Sequence, residues 1–298
     1  MAYPQPGIFA LGARSHYHLE FDLAPSADVP ALVRALSELS EPRKTTGGAN
    51  IVVGLAPSLW AQVAEIPSGA QDFTTVVGAG DYTMPSTQHA AWVWASGAGY
   101  DTVFDIARAA AVALAECAVV AEDVSGFTYK DSRDISGFED GTENPPLDEA
   151  AQVCIVPDGA PGAGSSIVLV QRWEHDLGAF HSLSLQDQEA VIGRTKAQSE
   201  ELDDAVQPVD SHVSRMVIED DQGDELKVFR RSVSFGDMSA HGMVFVAFTN
   251  RQAVVERMLA RMSGAEDGVR DRLTYFSRPV TGSYYVVPSV EALRTFTS

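Results

Sequence analysis

Hydrophobic and polar positions alternate in two rhythms along the chain. From His16 to Leu23 the pattern switches almost residue by residue, as a strand with one buried face requires. Val29, Leu32, Val33, Leu36 and Leu39 then recur at helical spacing, with Asp28 as N-cap, which predicts a helix over 28–39. Short apolar runs predict strands over 50–55, 73–77, 90–95 and 119–129, and a brief helix over 58–63. The strongest helix is expected over 100–117, with Val103, Ile106, Ala110 and Leu114 on one face. The second half repeats the mixture, with strands over 152–156, 166–173, 227–234, 243–249 and 284–288 and helices over 185–196 and 252–262.

Each half thus carries the material of one βαββαβ unit, and the expected class is α+β. No sequence repeat relates the halves, so the duplication is read from element order. Pro145-Pro146 marks a break, dividing the chain into modules 1–140 and 141–298 that pack as one unit.

Composition narrows the function. The 298 residues are 45% hydrophobic, enough for a sizeable core, and 41 Asp and Glu against 21 Lys and Arg give a net charge of −20. Such a surface repels phosphate backbones and anionic lipid, which speaks against nucleic acid and membrane as partners. Cys117 and Cys154 are too few for a disulfide framework or a four-thiolate metal site. No basic segment leads into an apolar run at the N-terminus, and no uninterrupted apolar stretch reaches membrane-spanning length. A cytoplasmic protein is expected.

Three segments can carry chemistry. In Gly137-Phe138-Glu139-Asp140-Gly141-Thr142-Glu143-Asn144-Pro145, two glycines permit a tight loop that can aim the Asp140 carboxylate inward as a proton shuttle. His212 offers a neutral imidazole as iron ligand, and Arg215 shares its face if the segment is helical. On a strand, Arg230 and Ser232 point one way and Arg231 the other, so an inward Arg230 could stabilise developing negative charge. Each segment also has a plain structural reading: a solvated turn, a lone histidine, an edge-strand arginine. His16, His18, His175 and His181 are read as surface residues, and the tryptophans and tyrosines as packing residues.

Read together, the three segments resemble the dye-decolorising peroxidase family. GFEDGTENP carries that family's GxxDG signature; His212 and Arg230-x-Ser232 follow in order, and the segment from Pro279 to Ser289 resembles its closing stretch. Length places the resemblance in the compact bacterial B or P-type subgroup. The resemblance implies tandem ferredoxin-like modules and b-type haem. It makes His212 the axial ligand of the haem iron, Asp140 and Arg230 the distal pair, Ser232 a distal polar contact in place of the more usual Asn, and Arg215 a haem-propionate partner. It implies a haem b peroxidase that reduces hydrogen peroxide through a ferryl intermediate and oxidises dyes, phenolics or other small one-electron donors, with a homo-oligomeric assembly. The chain shows no encapsulin-targeting extension after Pro288, so packaging in such a shell is not expected. The proximal histidine needs a hydrogen-bond acceptor for its second nitrogen, and Asp271 is the favoured candidate, with a backbone carbonyl as the alternative. The competing reading is a haem-handling protein for storage, transfer or iron release with little peroxidase turnover.

Overall fold

The computed structural model describes residues 2–39 and 48–297. In the first half, β1 (Ser15–Leu23), α1 (Val29–Leu39), β2 (Ala49–Leu55) and α2 (Pro57–Trp60) lead to a small two-stranded ribbon, β3 (Val76–Val77) and β4 (Thr83–Met84). β5 (Ala91–Gly97), α3 (Tyr100–Leu114) and β6 (Ala118–Phe127) complete it. The second half runs through α4 (Leu147–Cys154), β7 (Ser166–His175), α5 (Leu177–Ser182), α6 (Leu185–Ile192) and α7 (His212–Met216). β8 (Phe229–Arg230), β9 (Val233–Gly236), β10 (His241–Thr249), α8 (Gln252–Ser263), β11 (Ser277–Pro279), β12 (Ser283–Val287) and α9 (Val290–Arg294) follow.

The strands of the first half lie side by side as β2-β5-β1-β6 and those of the second as β12-β7-β10-β9, all antiparallel. In both, the order is that of a ferredoxin-like βαββαβ unit, the two central strands being the first and third of the unit. The halves join at β2–β12 and β6–β9, which closes the eight strands into a barrel. The seams are short: one residue pair, Val286 with Leu55, at the first, and Gly126 with Phe235 and Phe127 with Ser234 at the second. Closure leaves two short strands, β11 and β8, hanging from β7 and β10.

Alternation explains the layering. Along β10, Val244, Val246 and Phe248 face the barrel interior with Trp92, Trp94 and Tyr285. Met243, Phe245 and Ala247 face outward, toward the helices of the second half. Asp28 caps α1 as expected, its Oδ1 accepting from the Ala31 N–H at 2.8 Å.

Two expectations fail locally. Residues 152–156 were expected as a strand, yet Leu147–Cys154 is a helix. Pro146 stands at its N-cap, Asp148 and Glu149 sit in the first turn where the helix dipole favours anions, and Ala150 and Cys154 bury one face. The single strand expected over 227–234 is two, because the ladder breaks at Arg231 and Ser232. Arg231 turns its guanidinium onto the carbonyls of Ile8 and Ala10.

Candidate active site

A cavity opens between the outward face of β7 and β10 and the loops and helices packed over it. Its walls are largely apolar, with Phe138 and Phe180 edge to face at 6.1 Å and Phe245, Met258 and Met262 beyond. Polar residues that line it come from far-separated parts of the sequence, among them Asp134, Asp140, His175, Arg194, His212 and Arg230.

His212 begins α7. Ser211 caps the helix, its hydroxyl accepting from the Ser214 N–H at 3.3 Å. Gly193, at the end of α6 with φ +94°, fixes where α7 lies. A Cβ there would stand 2.9 Å from Ser211 Oγ and 3.0 Å from Val213 Cβ. The His212 Nδ1 lies 2.7 Å from Asp271 Oδ2, and Asp271 is fully buried. The other Asp271 oxygen accepts from the Leu273 N–H at 2.8 Å, so the carboxylate is held at both ends. A carboxylate at Nδ1 fixes the proton on that nitrogen, which leaves the Nε2 lone pair for the cavity.

Asp140 and Arg230 line the cavity with His212. Gly141, at φ +78°, turns the chain just after Asp140. Three residues further on, Asn144 clasps Arg230. Its Oδ1 accepts from the Arg230 N–H at 2.8 Å, and its Nδ2 donates to the Arg230 carbonyl at 2.9 Å. The loop thus holds the backbone of one cavity residue while presenting the other. Part of the Asp140 surface is open to the cavity, but burial pushes its carboxyl pKa up. The positive charge of Arg230 works against that rise, and the negative charge of Asp134 adds to it.

Asp134 and His175 join the cavity although the sequence offered no motif for them. His175 ends β7 rather than lying in a solvated loop; its Nε2 is 3.1 Å from Asp134 Oδ1 and its Nδ1 2.8 Å from Ser277 Oγ. Burial alone would raise the Asp134 pKa, but the hydrogen bonds from His175 and Ser136 outweigh it and hold the carboxyl low. His181 is exposed, and its ring reaches the Ser136 carbonyl at 3.2 Å. His16 and His18, expected at the surface, are buried inside the barrel.

Two candidates do not reach the cavity. Arg215 was expected beside a haem propionate. Instead its Nε and Nη2 donate to the Arg261 carbonyl at 3.1 and 3.0 Å, and Nη2 also meets Asp267 Oδ1 at 2.7 Å. That carbonyl belongs to the last turn of α8, the negative end of the helix dipole, which draws the guanidinium away. Arg261 returns the contact, donating to the carbonyls of Ser214 and Arg215 at 2.9 and 3.0 Å. Ser232 was expected as a distal polar contact. It lies where the strand breaks, and its hydroxyl accepts from the Val246 N–H at 3.3 Å, in place of a backbone carbonyl.

A family profile described as "Dyp-type peroxidase, C-terminal" matches residues 131–292, more than half of the chain and all of the segments that build the cavity. The chain belongs to the DyP-type peroxidase family. Among curated relatives, a dye-decolorizing peroxidase of Mycolicibacterium paratuberculosis is 36% identical over 271 residues, covering 89% of this chain and 75% of the relative. That of Rhodococcus erythropolis is 35% identical over 272 residues, covering 90% and 79%. Among solved structures, DyPB of Rhodococcus jostii RHA1 superposes with a TM-score of 0.91 at 35% identity, covering 99% of both chains. A variant of that DypB in complex with haem superposes at 0.88, covering 95% of each chain.

The residues of this DyP-type cavity suit a b-type haem on their own chemistry. A neutral imidazole nitrogen, fixed by a buried carboxylate, faces space walled by aromatic and thioether side chains. Sequence reasoning missed Asn144, Asp134 and His175. Asn144 stands within the quoted loop, so its place beside the signature was the available signal. Asp134 and His175 carry none, because their pairing arises only when β7 folds against the loop.

Proposed function

We propose that this chain is a haem b peroxidase that reduces hydrogen peroxide and oxidises dyes, phenolics or other small one-electron donors. The observation that carries the reading is the His212–Asp271 pair at 2.7 Å facing a cavity that also receives Asp140 and Arg230. His212 Nε2 would hold the haem iron, and the haem supplies the redox chemistry. Asp140, when ionised, takes the proton from the inner oxygen of peroxide and returns it to the outer oxygen as that oxygen leaves. Arg230 stabilises the negative charge that builds as the oxygen–oxygen bond lengthens. Asn144 keeps Arg230 in register. Arg215 and Ser232 have structural rather than chemical duties here.

Storage or transfer of haem needs no acid-base group paired with a cation beside the ligand, so Asp140 and Arg230 favour turnover over the haem-handling alternative. The decisive experiment compares His212→Ala with Asp140→Ala. The first should lose haem or change its ferric spectrum. The second should keep the Soret band and respond to peroxide far more slowly in stopped flow. A wild-type ferric protein that gives no spectral response to peroxide would reject turnover.

The two modules, 1–140 and 141–298, act as one unit in this reading, since their strands close one barrel. A cytoplasmic setting fits two free, buried cysteines. A homo-oligomer is suggested by Val112, Val119 and Val120, apolar side chains left exposed on α3 and β6.

A further inference from the structure

On the far side of the sheet from the cavity, the barrel interior holds oxidisable rings that the peroxide chemistry does not use. Tyr285, Trp92, His18, Trp94 and His16 form a continuous ladder. Successive ring centroids lie 6.2, 5.9, 5.9 and 5.9 Å apart, with interplanar angles of 13°, 19°, 7° and 10°. Trp92 and Trp94 also stack directly at 6.0 Å. All five rings are buried.

Close packing does not call for this composition. Neither ring nitrogen of His18 nor Trp92 Nε1 has a partner among the described residues, and a buried unpaired polar atom is costly. Leucine or phenylalanine would fill the space without that cost. At the end of the ladder the Tyr285 hydroxyl donates to Glu20 Oε2, deep inside the barrel. A phenol beside a carboxylate can give up its electron and proton together, which avoids a phenol cation. The burial that raises the proton affinity of Glu20 suits it to receive that proton.

The ladder is close to the cavity. Phe245 and Ala247 of β10 line the cavity, while their neighbour Phe248 packs at 6.3 Å against both Trp92 and Trp94. One sheet separates the two, and packed layers are spaced by about 10 Å.

We propose that this ladder is an internal electron reserve, ending at Tyr285, that is drawn on when peroxide arrives before an outside donor. The inference rests on the haem peroxidase reading above. Breaking the oxygen–oxygen bond of peroxide takes two electrons: one oxygen leaves as water with both of the peroxide's protons, the other stays at the cofactor site, and one electron comes from that site itself. The other electron comes through Trp92 from Tyr285. The Tyr285 O–H bond breaks, its electron passes toward the cavity and its proton goes to the Glu20 carboxylate. A phenoxyl radical and a neutral carboxylic acid remain. An outside one-electron donor restores the pair: an electron returns to Tyr285, and Glu20 gives the proton back.

The test mixes haem-loaded protein with one equivalent of hydrogen peroxide, without donor, and freezes it for electron paramagnetic resonance. A tyrosyl signal is expected that narrows in protein carrying ring-deuterated tyrosine. It should be lost in Tyr285→Phe and in Glu20→Gln, with the ferric Soret band unchanged. Deuterium labelling needs no variant, so it decides whether tyrosine is involved even if the substitutions disturb folding. Trp92→Phe should delay the signal. A protein radical insensitive to deuterated tyrosine, or one that persists unchanged in Tyr285→Phe, overturns the proposal. If the Soret band responds to peroxide but no barrel radical forms, the ladder fails alone. If the Soret band does not respond, the peroxidase reading falls with it.

Discussion

Asp271 sets the character of His212 through a single contact. A carboxylate at Nδ1 makes the opposite nitrogen a stronger donor, and losing such a partner typically weakens a metal site ~10–100-fold. Asp271→Asn should therefore hold haem less tightly and raise its reduction potential, because a less basic imidazole stabilises the ferric state less. A spectroelectrochemical titration reads the shift, and an unchanged potential would show that the 2.7 Å contact has no electronic effect. Asp140 and Arg230 answer to different tests. Removing a proton-transfer group typically costs ~10²–10⁴-fold and removing one charge-stabilising donor ~10²–10³-fold. Asp140→Ala and Arg230→Ala should slow peroxide activation by such factors and keep the Soret band. Burial raises the Asp140 pKa, and the group accepts a proton only when ionised. Peroxide activation should thus decline, as pH falls, at a higher pH than for an ordinary aspartate, and Asp140→Ala should abolish that decline. At this scale the sequence was most informative. Asp140, His212 and Arg230 come together as the motif order implied, and Asp271 lies where a partner was sought. Arg215 shows the limit: helical spacing places it on the His212 face, but spacing cannot reveal that the last turn of α8 offers its carbonyl a stronger claim.

Between elements, two clasps position the chemistry. The first is Asn144 on the backbone of Arg230, two hydrogen bonds worth roughly 0.5–1.5 kcal/mol each. Asn144→Ala should cost ~1–3 kcal/mol by that range and slow peroxide activation without changing the ferric spectrum. A rate equal to wild type would mean that β8 keeps its register without the clasp. The second is the exchange between Arg215 and Arg261, each donating to carbonyls of the helix that carries the other. Element boundaries were legible where capping and periodicity agreed, as at Asp28 and α1. They were lost where a short apolar run had no period. Residues 152–156 read as a strand because the helix beginning at Leu147 buries only Ala150 and Cys154, too few to show a repeat. The break after Arg230 was hidden because the Ser232 hydroxyl takes the Val246 N–H that a backbone carbonyl would otherwise take, while the Arg231 N–H still donates to the Val246 carbonyl.

Over the whole molecule, the barrel couples the modules and buries titratable groups that no motif announced. Burial and the nearby Arg231 charge lower the His16 pKa to about 4, and burial with the His16 charge holds His18 well below its ordinary range. Both depressed values mean that the unfolded chain binds more protons than the folded one through this window. The stability they contribute is present above ~6.5, the ordinary histidine value, and is lost as pH falls toward 4. The raised values of Asp140 and Glu20 act in the opposite sense, so His16→Phe should show the histidine part directly. Urea midpoints measured from pH 7 to pH 4 should fall less steeply in that variant; equal slopes would reject the assignment. The βαββαβ order of the main strands could be read along the chain, but not the closure, because a strand's alternation is the same whether its neighbour comes from its own half or the other.

The thinness of the two seams bears on where this molecule breathes. Within a module, β7 and β10 share a register of eight residue pairs, whereas the modules meet through one pair at one seam and two at the other. Transient opening needs the fewest broken contacts at the joins, and none of the paired seam residues lines the cavity, whose walls come from the second module and from residues 134–140 at the end of the first. Deuterium should enter the amides of Leu55, Val286 and Gly126 ahead of those in the centre of β10, and binding of haem should slow exchange around His212 while leaving the seams as fast as before. The fold can then loosen along its joins without letting go of its cofactor.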